Sequence, residues 1–164
     1  MLALAMFVAF STTAQKDKSK RPSPPAQVSA SVGEAKVVID YSQPSKRGRE
    51  IFGGLEKYGK VWRTGANESS WIEVSGDVKI EGKTLPAGKY GLFSIPGEDE
   101  WTIIFNKKWD GWGAYEYSQD DDVLRVTVPS KSIDDVVEQF TINIEDSGDV
   151  TMAWDKTQVA FSIR

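Results

Sequence analysis

The 164-residue chain contains no histidine and no cysteine. Without histidine there is no imidazole general base, no Ser-His-Asp triad and no His-ligated zinc, copper or iron. Without cysteine there is no thiolate nucleophile, iron–sulfur cluster or disulfide. The chemistry left open rests on carboxylate pairs, on Lys or Tyr acting on a hydroxyl, or on oxygen-ligated calcium or magnesium. Cationic excess is also missing: 20 Lys and Arg stand against 24 Asp and Glu, for a net charge of −4 and a pI near 5.0. Broad phosphate-backbone binding needs clustered cations, so nucleic acid is not an expected partner. No cofactor is expected either.

The long apolar run occupies residues 1–10, followed by Ser11-Thr12-Thr13-Ala14-Gln15 and the charged Lys16-Asp17-Lys18-Ser19-Lys20. It reads as the apolar region of an export signal, cleaved after Ala14, where Thr12 and Ala14 supply small side chains. The run is too short to span a bilayer, which takes about 20 apolar residues. The mature protein is therefore expected to be exported to the periplasm or beyond, with no membrane span and, lacking a cysteine to carry lipid, in soluble form. No Lys or Arg precedes the run, which a start upstream of Met1 would explain. A buried N-terminal helix is the alternative reading.

Residues 15–25 are polar and carry Pro22, Pro24 and Pro25, so they read as an extended linker. Residues 26–164 are of a length that suits one domain. Within them period-two alternation recurs: Val28, Ala30, Val32, then Val37, Ile39, Tyr41 across a Gly33-Glu34 turn. Further runs include Tyr90 to Ile95, then Trp101, Ile103, Phe105; later Phe140, Ile142, Ile144; and finally Val159, Phe161, Ile163. About nine strands separated by turn residues predict an all-β antiparallel sandwich or jelly roll. One helical turn is predicted within residues 130–138, with Ser132 as N-cap and Asp134 and Asp135 in its first turn; a plain strand-to-strand connection is the other reading of that stretch.

Residues 42–69 break the alternation. They hold five glycines and the cations Lys46, Arg47, Arg49, Lys57, Lys60 and Arg63. A connection this long inside a compact domain is uncommon and often functional.

The runs Tyr41-Ser42-Gln43-Pro44, Lys46-Arg47-Gly48-Arg49, Ile51-Phe52-Gly53 and Tyr58-Gly59-Lys60-Val61-Trp62-Arg63-Thr64-Gly65-Ala66-Asn67-Glu68 resemble the signature of the bacterial domain-of-unknown-function family 2911. Leu85-Pro86-Ala87-Gly88-Lys89-Tyr90, Leu92-Phe93-Ser94-Ile95-Pro96 and Trp101-Thr102-Ile103-Ile104-Phe105-Asn106 are similar to the rest of that pattern. The likeness covers about residues 21–164. It implies an exported, β-rich protein of Gram-negative type and carries over no catalytic residue.

Read from the residues, the first candidate site is Arg49, Arg63, Asn67 and Glu68, with Tyr41 and Trp62 as walls. Arginine offers a planar donor fork to an anion, and glycines let backbone amides approach it. The competing reading pairs the arginines with Glu68 or Asp40 and makes Trp62 a core plug. The second candidate is the aromatic surface Trp109, Trp112 and Tyr115, whose flat faces suit stacking on sugar rings while Asn106 or Asp110 bonds hydroxyls; here the competing reading closes one end of the core. Asp120, Asp121 and Asp122 lack the spacing of a calcium loop, and no metal site is expected. The expected function is a non-enzymatic binding module for a small anionic or polyhydroxylated, glycan-like ligand. The alternatives are an extracellular hydrolase using carboxylates such as Glu68, Glu73 or Asp77, and a surface-assembly or scaffold component.

Overall fold

The computed structural model describes residues 17–164; the export signal expected at residues 1–14 lies outside them. A 3-10 turn at Lys18–Lys20, capped by the Asp17 carboxylate accepting from the Ser19 amide, precedes the first strand. Nine strands follow: β1 Pro25–Val32, β2 Ala35–Ser42, β3 Trp71–Val74, β4 Val78–Ile80, β5 Lys83–Leu85, β6 Gly88–Ile95, β7 Glu100–Asn106, β8 Asp122–Ile144 and β9 Asp149–Ser162. Seven of them form an antiparallel sheet in the order β1-β2-β3-β6-β7-β8-β9, and β4 with β5 forms a separate hairpin. The chain is thus all-β, its sheets curling into a half-barrel or sandwich. Among the described residues no helix is long and apolar enough to cross a membrane.

The alternation of the sequence divides each strand between two faces. In β2, Val37, Ile39 and Tyr41 are buried while Lys36 is exposed and Asp40 is only partly covered. Each fully buried Val, Ile, Leu or Phe side chain contributes about 1.5–3 kcal/mol relative to exposure. The sheet curls because β8 is long and irregular. Its first part pairs with β7 and its second with β9, and the ladder to β9 shifts register between Ser132 and Val137 and again between Val137 and Thr141. Bulges of this kind bend a strand and increase its twist. The bend carries Phe140 and Ile142 back over β2, where the Tyr41 hydroxyl accepts from the Ile142 amide at 2.9 Å and donates to the Ile142 carbonyl at 3.3 Å.

The helical turn predicted within residues 130–138 is absent; those residues belong to β8. A helical segment so short is marginal in water, and the β-branched Ile133, Val136 and Val137 favour the extended chain. Residues 42–69 lie, beyond the end of β2, in an irregular connection that plugs the core. Trp62 exchanges backbone bonds with Ser94 of β6 at 2.7 and 2.9 Å. Its indole stacks on Trp154 (centroids 5.9 Å apart, 19° between planes) and meets Phe52, Trp101 and Phe140 edge-on.

Candidate functional site

The face of the sheet opposite the core carries the candidate site. Register places Asp40 of β2 opposite Trp71 of β3, and Trp71 opposite Gly91 of β6. Because Ile39 and Ile72 point into the core, their neighbours Asp40 and Trp71 point out. Gly91 presents only backbone there, and the Lys108 carbonyl occupies the place where a Cβ would stand. The loop that follows β7 can therefore fold back flat over the sheet.

Two sets of bonds hold that loop. Asn106, fully buried at the end of β7, donates to the Ser118 carbonyl at 2.9 Å and to Asp122 Oδ1 at 2.7 Å, while its own oxygen accepts from the Lys108 amide at 2.8 Å. On the other side the Ser69 amide donates to the Gly111 carbonyl at 3.0 Å and the Gly113 amide to the Asn67 carbonyl at 2.9 Å. The Ser69 hydroxyl adds a bond to the Gly113 carbonyl at 2.6 Å. The aromatic loop and the end of the Gly/Arg-rich connection are thereby stitched together.

Between the sheet, the loop and residues 17–24 ahead of β1 (the leader) lies a hollow of about 250 Å³. Asp40, Glu68 and Asp110 supply carboxylates to its lining, Trp71 and Trp109 aromatic walls, and Ser42 and Ser69 polar groups; Tyr41, Pro25, Gly111 and Lys18 complete it. The Lys89 ammonium sits 3.5 Å from the Trp71 ring centroid and 4.1 Å from that of Trp109, a cation–π contact with both indoles. Glu68 is bound by the leader: Arg21 Nη1 donates to its two oxygens at 3.0 and 2.8 Å, and Lys18 Nζ lies 3.1 Å from Oε1. These groups are partly exposed, where such pairs contribute about 0–1 kcal/mol.

The two central carboxyls are tuned in opposite directions. Burial pushes the Asp40 pKa up, and the Glu68 charge adds to it, against the bond from Gln27 and the charges of Lys18 and Lys89. Burial also acts to raise that of Glu68, but its own backbone amide with Lys18 and Arg21 outweighs it and leaves the pKa below its ordinary value. The folded state thus binds the Asp40 proton more tightly than the unfolded chain does. Ionisation of Asp40 costs stability as pH rises from the ordinary aspartate range through the raised folded value. Asp40→Asn, which removes that cost, is expected to raise the melting temperature relative to wild type at about pH 7 and to change it little at about pH 2.5, where Asp40 is almost wholly protonated in both states. Thermal melts at the two pH values check this; an equal shift at both would show that ionisation is not the cause.

The residues singled out from sequence do not form one pocket. Tyr41, Glu68 and Trp109 border the hollow. Trp112 (53% exposed) and Tyr115 (87% exposed) stand on the same loop. Asn67 buttresses it through its carbonyl bond to Gly113 and its side-chain bond to the Ser23 carbonyl at 3.0 Å. Arg49 turns back on its own loop, donating to the carbonyls of Lys46 at 3.0 Å and Ser45 at 2.6 Å. Arg63 runs beneath the aromatic loop, where a Cβ on Gly113 would stand 3.2 Å from its Nη1; among the described residues no acceptor bonds its buried Nε. Both arginines oppose the burial that raises the Glu56 pKa, and neither is among the groups lining the hollow. Trp62 lies in the core at 3% exposure. Arg49 and Arg63 do not join Glu68: the carbonyls of Ser45 and Lys46 engage Arg49, and Arg63 lies close against Gly113. Among the described residues no group of three or more acids is placed to hold a metal ion; Asp122 is taken up by Arg125 at 2.6 Å and Tyr117 at 2.9 Å.

Sequence reasoning missed Trp71 and Lys89 and treated Asp40 only as a partner for arginine. Their signal was phase: Asp40 and Trp71 occupy the outward positions of strands whose inward positions are apolar, and a partly covered Asp and Trp there mark a face that something overlies.

Fold and hollow together define an antiparallel all-β protein with a carboxylate- and indole-lined recess on the outer face of its sheet. The family model described as Protein of unknown function (DUF2911) matches residues 23–163, and the chain belongs to that family. No curated protein and no solved structure matches it.

Proposed function

We propose that this protein is an exported, non-enzymatic binding module whose outer-face hollow takes a polyhydroxylated ring. The observation that carries the reading is the presence of two indoles, Trp71 and Trp109, beside three carboxylates in one recess. Lys89 covers one face of each indole, and the other face of the partly exposed Trp109 would bury the apolar C–H side of a sugar ring while carboxylates accept from its hydroxyls. An anion is the poorer fit, since Asp40, Glu68 and Asp110 would repel it. Trp112 and Tyr115 extend the aromatic surface beyond the recess for a second ring. Export rests on the apolar residues 1–10 and the small residues that follow them.

Trp109→Ala is expected to weaken binding of the tightest neutral glycan in a panel by roughly tenfold or more. Stability should fall by no more than about 2 kcal/mol, because Trp109 is partly exposed but gives up its cation–π contact with Lys89. Calorimetric titration with a parallel urea melt checks both. Absence of binding by wild type across the panel would remove the reading.

The opposite tuning of Asp40 and Glu68 favours one second reading, a glycoside hydrolase with Asp40 as proton donor and Glu68 as the ionised partner. In that case both Asp40→Asn and Glu68→Gln abolish turnover of an activated glycoside while the fold is retained. No turnover by wild type on a broad glycoside panel discards it.

A further inference from the structure

We infer that the group recognised in the hollow is a primary ammonium, so that the preferred ligand is an amino sugar with its amine free. The inference rests on the ring-binding reading above and specifies its ligand class. The chain already places one of its own ammonium groups in the lining and another against its two indoles. Lys18 Nζ is 3.1 Å from Glu68 Oε1, and Lys89 Nζ lies over both indoles at 3.5 and 4.1 Å. Carboxylate and aromatic faces attract a cation by charge and by ring quadrupole, respectively.

The two ammonium groups differ in how firmly they are built in. Lys89 belongs to β6 and is part of the sheet. Lys18 belongs to a three-residue turn that buries none of its residues and lies ahead of the family-matched residues 23–163. The matched part of the chain therefore offers Asp40, Glu68 and Asp110 to the hollow, and Lys18 is a countercharge brought from outside it. Lys18 is 51% exposed and Glu68 39% exposed, so a soluble amine can reach the same carboxylate and displace the lysine without opening the fold. Arg21 keeps its own bonds to Glu68 when this happens. Asp110, on the loop stitched to residues 67–69, is a second carboxylate of the lining; among the described residues no salt bridge engages it.

The test compares glucosamine, glucose and N-acetylglucosamine by calorimetric titration of the full-length protein at low ionic strength. Glucosamine is expected to bind roughly tenfold more tightly than the two neutral sugars, the preference falling as salt rises. Lys18→Ala, which removes the internal competitor, is expected to raise glucosamine affinity by a larger factor than glucose affinity. Glu68→Gln is expected to abolish the preference. Should that variant lose the docked leader and unfold, Asp110→Asn, at an exposed position, is expected to reduce the preference in a folded protein. Equal binding of all three sugars by wild type overturns the ammonium inference and leaves the ring-binding reading standing. Absence of binding by wild type and by Lys18→Ala overturns both.

Discussion

Trp62→Ala lowers the stability of the protein by about 3–5 kcal/mol, the range for emptying a buried aromatic site. Trp62 is 3% exposed and stands among Phe52, Trp101, Phe140 and Trp154, with all four ring centroids within 6.0 Å of its own. Removing it forfeits those contacts and leaves a void that the surrounding rings, three of them held on β7, β8 and β9, fill only in part. A second loss follows. The indole Nε1 donates to the Gly65 carbonyl at 3.0 Å, and an acceptor left unpaired inside the protein costs about 1–3 kcal/mol. The midpoint of urea unfolding falls with little change in slope. Trp112→Ala, at a 53% exposed position, serves as control and stays within about 0.5 kcal/mol of wild type. A loss under about 1 kcal/mol for Trp62→Ala would contradict its assignment to the core.

Gly91→Ala acts through a different mechanism and reaches the hollow directly. The position has ordinary backbone geometry, so the added methyl does not strain the strand. It meets the Lys108 carbonyl, which fills the space, and an edge carbon of Phe93 at 2.6 Å. Backbone cannot give way as a flexible side chain can, so the loop after β7 lifts from the sheet at a cost of about 1–3 kcal/mol. Trp109 and Asp110 move with it, and the hollow loses one wall and one carboxylate. The expected result is a modest fall in melting temperature together with, on the proposed ring-binding reading, a loss of sugar binding far larger than the fall in stability explains. Gly82→Ala has the opposite profile: no atom lies within 4 Å of its Cβ position, but a φ of +80° makes the residue costly in the backbone alone. It should destabilise without touching the ligand. Binding that survives Gly91→Ala unchanged would show that the loop is not part of the site.

These two substitutions mark the boundary of what the primary structure reveals. The strands were legible because alternation is local: Val37, Ile39 and Tyr41 declare their face within five residues. Trp62 was ambiguous, since an aromatic in a Gly- and Arg-rich connection fits a ligand wall and a core plug equally well. Its role depends on Trp101 and Trp154, far along the chain. The predicted helical turn at residues 130–138 failed for a related reason, as pairing with β9 supplies backbone partners that an isolated turn lacks. Arg49 and Arg63 looked available because their loop is rich in cations and poor in acids. The bonds that engage Arg49 come from main-chain carbonyls, which composition does not record.

The amino-acid sequence by itself determined the chemistry that is excluded, the all-β class and most of the core, since residue type and period-two spacing act over a few neighbouring positions. Only the tertiary structure decided the site. Glu68 and Arg21 are 47 residues apart, Asp40 meets Trp71 through strand register, and Trp109 reaches them because a glycine across the sheet leaves room for the loop that carries it. Such juxtapositions depend on pairing register and on where a chain has no side chain, and neither leaves a periodic trace in the order of residues.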